Sequence, residues 1–73
     1  MNTMNTNAVI FNGPFSKKTR KGKELSFWNV TIQKGRTGEP MIYEVHDFNK
    51  AFRLTQNISH DRNLIIINEA KEV

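Results

Sequence analysis

Two short blocks of alternating apolar and polar residues and one block of longer period organise this chain. Ala8-Val-Ile-Phe11 is an apolar run closed by Asn12-Gly13-Pro14, the pattern of a buried strand ended by a turn. Residues 16 to 24 contain no apolar side chain and include Gly22, so they form a loop or the extended tip of a hairpin. From Leu25 to Gln33, Trp28, Val30 and Ile32 alternate with Phe27, Asn29, Thr31 and Gln33, which predicts a strand with its first set inward and Phe27 on the polar face. Lys34-Gly-Arg-Thr-Gly-Glu-Pro40 is a turn by composition. Met41 to Phe48 makes a third strand with Met41, Tyr43 and Val45 inward.

The period then changes. Asp47 can cap a helix in which Phe48, Ala51, Phe52 and Thr55 share a face, a helix of about two turns by this spacing, with Phe52 in the core. Asn57 to Asn63 is polar enough for a loop, and Leu64-Ile-Ile-Ile67 is β-branched enough for a buried strand. The expected organisation is a disordered tail over 1–7, one domain over 8–68 and a second tail over 69–73. The domain is mostly β with one short helix: an antiparallel barrel or an open sheet.

A domain of 73 residues buries a thin core, roughly 60% of the surface its unfolded chain exposes. With no cysteine and no recognisable metal framework, self-association is the expected source of further stability, and a homodimer or higher oligomer is predicted. The N-terminal residues lack the basic start and apolar stretch of a secretory signal, and no apolar run is long enough to span a membrane. With no disulfide partner either, a cytoplasmic protein is expected. The sequons at Asn29 and Asn57 then have no glycosylating compartment to meet.

The net charge of +4 is unevenly spread: residues 1–36 carry seven Lys or Arg against Glu24 alone, and residues 37–73 carry four against six acids. Lys17, Lys18, Arg20, Lys21 and Lys23 fall within seven residues, between Phe15 on one side and Phe27 and Trp28 on the other. Clustered cations release counterions from a phosphate chain, and aromatic rings stack on bases of any identity. That combination points to single-stranded nucleic acid, with Lys34 and Arg36 at the far turn extending the track and Phe15, Phe27 and Phe48 as stacking residues. Tyr43 has the phase of an inward residue, and Trp28 that of the core. The dipeptides His46-Asp47 and His60-Asp61 form no ligand set of known spacing, and no nucleophile has a partner at readable spacing, so neither a metal, a cofactor nor an enzyme activity is expected.

Strand-strand-strand-helix-strand is the order of the oligonucleotide-binding fold without its last strand. Thr19-x-x-Gly22-x-x-Leu25-x-x-Trp28-x-Val30-x-Ile32 resembles the loop and second strand of bacterial and phage single-stranded-DNA-binding proteins. Ile42 to Ala51, with Phe48-Asn-Lys50, looks like that family's third strand running into its helix, and Asn63 to Ile67 like the strand after it. The resemblance implies base stacking at Phe48 and a role as a replication or recombination accessory of phage type. It also differs, with Ile42 where the family has an aromatic and no strand after the fourth, which makes pairing across a dimer the expected way to complete the sheet. A phage-encoded inhibitor of a host protein and a single-stranded RNA binder are the alternatives.

Overall fold

The computed structural model describes residues 7–35 and 38–72. Four strands and a helix follow one another as β1 (Ala8–Lys18), β2 (Glu24–Gln33), β3 (Met41–Val45), α1 (Phe48–Arg62) and β4 (Ile65–Ala70). They form one sheet in the order β3-β2-β1-β4, with α1 on one face. The fold is mostly β with one helix, and of the two expected forms it is the open sheet. β1, β2 and β3 run antiparallel; α1 then carries the chain back to its starting end, so β4 joins β1 in parallel.

The alternation of β2 sets the core. Trp28, Val30 and Ile32 face the helix and pair with Val45, Tyr43 and Met41 on one side and, for Val30 and Ile32, with Phe11 and Val9 on the other. Trp28, Val30 and Ile32 with Val9, Phe11, Ala51 and Leu64 form the buried cluster, and Val45 packs against it. Met41 and Tyr43 share that face, as their phase predicts, but α1 covers only the Val45 end of β3 and leaves Met41 50% exposed.

β1 is longer than the sequence suggests. Asn12-Gly13-Pro14 does not end it; one extra residue is accommodated there as a bulge, because Asn12 pairs with Asn29 while Phe15 pairs with Phe27. The bulge reverses the phase of the strand and turns Phe15 to the same face as Phe27. Gly13 sits at φ +136, and a Cβ there would stand 2.7 Å from Cδ1 of Trp28 and 3.1 Å from the Phe27 carbonyl oxygen. Gly13→Ala is therefore expected to destabilise the fold by about 1–3 kcal/mol, the usual cost of a side chain in such a backbone region. An unchanged urea midpoint would show that the backbone at 13 can relax.

Asp47 caps α1 from an extended conformation, its carboxylate accepting from the Lys50 N–H at 2.9 Å. The helix does not stop near Leu54 but runs to Arg62, ending on Asn63 in the left-handed conformation with the Leu64 N–H donating to the Ser59 carbonyl at 3.0 Å. The polar residues from Asn57 onward are its solvent face, while Leu54 and Ile58 continue the packed one. Thr55 is buried and satisfied, its hydroxyl donating to the Ala51 carbonyl at 2.8 Å. Phe52 is 40% exposed rather than core, its ring lying beside Phe11 and Phe48.

The last strand departs furthest from expectation. Leu64 is buried, but Ile65 is 59% exposed and Ile66 and Ile67 about two-fifths exposed, because β4 is the sheet's edge. It extends to Ala70, and the next residue is held too: the Trp28 indole N–H donates to the Lys71 carbonyl at 3.0 Å.

Candidate nucleic-acid interface

β4 pairs with β1 only as far as Gly13, and β3 pairs with β2 only from Trp28 onward. The remainder of the hairpin, Pro14–Lys18 against Glu24–Phe27, continues past both neighbours as a two-stranded arm. Its tip follows from Thr19-Arg-Lys-Gly22. The Gly22 N–H donates to the Thr19 carbonyl at 2.9 Å, Gly22 adopts φ +79, and the Thr19 N–H donates to the Lys23 carbonyl at 2.8 Å. This is a three-residue hairpin loop whose third position needs a left-handed residue, which glycine supplies. The hydroxyl of Thr19 accepts from the Lys23 N–H at 3.2 Å and closes it. The closed loop leaves the side chains of Arg20 and Lys21 at the apex, with Lys18 and Lys23 beside them, all exposed.

Lys17 belongs to a different group. It faces the side of the sheet away from the helix, where its ammonium pairs with Glu44 and lies 5.3 Å from the centre of the Phe27 ring. The carboxylate of Glu44 also meets Nε2 of His46 at 2.8 Å. Hydrogen bonding from Lys17 first, and from His46 second, holds the Glu44 carboxyl below its ordinary value near 4.5. On the same face Phe15 and Phe27 are direct cross-strand partners with ring centres 5.5 Å apart, and His46 lies 6.2 Å from Phe27. Phe15 is 39% exposed at the outer side of this cluster, and Phe27 is half-buried within it.

Of the residues expected to contact nucleic acid, the fold brings together Lys18, Arg20, Lys21 and Lys23 at the tip and Phe15, Phe27 and Lys17 at the root of the arm. Phe48 is not among them. At the start of α1 it lies on the helix side of the sheet, 5.4 Å from Phe11, 5.8 Å edge-on to Trp28 and stacked on Phe52 at 6.4 Å between centres. It packs against the core, and the sheet separates it from Phe27. Lys34 follows β2 at the end opposite the tip, about 30 Å away for ten strand residues; Arg36 lies outside the described residues. Glu44 carried no signal in the sequence. Its place in the cluster depends on the β2–β3 register, which sets it opposite Asn29, and on a lysine 27 positions away.

His60 and Asp61 meet at 3.6 Å on the last turn of α1, and no group of three or more potential metal-binding side chains occurs among the described residues. Among the described residues no helix is long and apolar enough to cross a membrane. No protein-family model, curated protein or solved structure matches this chain.

Proposed function

We propose that this protein binds single-stranded DNA with little sequence preference, through the β1–β2 arm. The observation that carries the reading is the arm itself: four exposed cations at its tip that join no ion pair among the described residues, and a cross-strand pair of phenylalanines at its root on the side of the sheet away from α1. Lys18, Arg20, Lys21 and Lys23 neutralise phosphates, each contact releasing counterions. Phe15 offers its exposed ring to a base, and Phe27, held between Phe15, His46 and Lys17, backs it. Lys17 is spent on Glu44 and serves to fix Phe27 rather than to hold a phosphate.

The chain order and the likeness of Thr19–Ile32 and Ile42–Ala51 to single-stranded-DNA-binding proteins support the same reading. They extend it to a phage-type replication or recombination accessory acting in the cytoplasm, which coats exposed single strands without any catalytic step.

Anisotropy of an end-labelled oligo(dT) tests this directly. Trp28 is a poor reporter, since it is buried on the helix side. Binding is expected at low salt, with log affinity falling against log salt at a slope of about −2.8 for four contacts. Phe15→Ala is expected to weaken binding by about 1–3 kcal/mol, the range for losing one stacked base, without altering that slope. Absence of binding at 20 mM salt would remove the proposal. Competition between matched DNA and RNA oligomers reports which backbone is preferred, and a preference for RNA would redirect the reading to RNA.

A further inference from the structure

Among the described residues β4 has a strand on one side only, and its outer edge carries three exposed isoleucines. We infer that two copies of this chain pair through it, antiparallel about a two-fold axis at Ile66, joining their sheets into one of eight strands.

The backbone is available for this. The N–H groups of Ile65 and Lys71 donate to Asn7 and Gly13, on the β1 side. In a strand, alternate residues point their N–H and C=O to opposite edges, so Ile66, Asn68 and Ala70 direct theirs outward. The Ala70 N–H is already taken by Oδ1 of Asn68 at 3.0 Å, which leaves Ile66 and Asn68 as the outward donors. The side chains agree. Ile65 and Ile67 lie on the open face and Ile66 on the helix face, all substantially exposed. Ile65-Ile66-Ile67 contains no charge, proline or bulge, the features by which edge strands avoid pairing. The opposite edge, β3, is preceded by Glu39-Pro40 and carries Glu44.

The apolar pattern selects the register. Centred on Ile66, each Ile65 lies opposite the other copy's Ile67, and Ile66 opposite its twin, so the isoleucines meet only one another; moving the two-fold to Ile67, a relative slide of two residues, sets Ile65 opposite Glu69. Charge selects the antiparallel sense, since it brings Arg62 before β4 of one copy near Glu69 and Glu72 of the other, while Asp61 faces its own His60. A six-residue edge is about 20 Å long and covers roughly 500 Å² per copy with its flanking side chains, less than the ~800 Å² of a standard interface. The dimer is accordingly a dissociable one, dependent on concentration. Its two-fold stands perpendicular to the sheet, so both helices lie on one side, both Phe15–Phe27 pairs on the other, and the two arms point to opposite ends.

Sedimentation equilibrium of the full chain without nucleic acid tests this independently of the DNA reading. The mass is expected to rise with concentration from 8.5 kDa towards twice that value. Ile65→Lys should weaken association at least tenfold, and Ile42→Lys, an equally exposed site on the other edge, should leave it unchanged. A chain monomeric at every concentration, or one dissociated by Ile42→Lys and not by Ile65→Lys, would overturn the inference. Should Ile65→Lys fail to fold, as its circular dichroism would show, cross-linking decides. The chain has no cysteine, and paired strands bring opposed Cα atoms to about 5.5 Å, within disulfide reach. Ile66→Cys should then oxidise to a covalent dimer at least tenfold faster than Ile42→Cys; equal rates would count against the pairing.

Discussion

Replacing Lys18, Arg20, Lys21 and Lys23 together by glutamine is expected to lower affinity for oligo(dT) about two-hundredfold at 150 mM salt. Each phosphate contact contributes a slope of about −0.7 in log affinity against log salt, so between 150 mM and the 1 M reference it contributes about 0.6 log units, and four contribute about 2.3. The defect should widen as salt is lowered and close as it approaches 1 M, because counterion release is what the substitutions remove. The variant should fold normally: the four side chains are exposed, and none joins an ion pair among the described residues. A salt slope unchanged from the natural chain would show that the arm does not follow the phosphates, whatever the loss in affinity. Lys17→Gln gives the contrast. Since Lys17 is paired with Glu44 and set over Phe27, its loss should act on the aromatic pair and change the slope little.

How far the sequence discloses this arrangement depends on whether a signal is local. The alternation of Trp28, Val30 and Ile32 and the capping position of Asp47 are local, and the structure has both where the pattern sets them. Phe27 falls on the face away from α1 for the same reason. Phe15 reaches that face only through the bulge at Gly13-Pro14, which in a single strand reads as a turn; its effect exists only against β2. The extent of α1 is obscured because a solvent-facing helix surface and a polar loop have the same composition over residues 57–63. Leu64–Ile67 has the composition of a central strand, and its position at the edge comes from the direction in which α1 returns the chain. Phe48 is the instructive case for the site. Its motif suggests stacking, but the first turn of α1 turns it onto Phe11 and Trp28, and which face a helix covers is not written in the residues of the motif.

The same packing makes Phe11 the residue whose loss the fold should tolerate least. It is fully buried on β1 between Val30 and Asn68 of the flanking strands, and the rings of Phe48 and Phe52 lie 5.4 and 6.3 Å from it. Truncating such a phenylalanine costs about 3–5 kcal/mol, the lost burial plus the cavity left behind. A domain of 73 residues has a total stability of about 4–11 kcal/mol at the usual 0.05–0.15 kcal/mol per residue. Phe11→Ala is therefore expected to remove about a quarter or more of that stability, and at the lower end of the range to leave the chain unfolded. Few other side chains can compensate, because among the described residues only α1 covers the core, and three of the isoleucines lie outside it on β4. Phe15→Ala, directly after the bulge and exposed, should cost under about 1 kcal/mol by contrast, as surface substitutions do. Urea unfolding followed by circular dichroism separates the two. A Phe11→Ala midpoint close to that of Phe15→Ala would mean that Phe11 does not anchor the core. The expected gap between them would place the two phenylalanines of β1 in different roles, one closing the core and one left free on the arm.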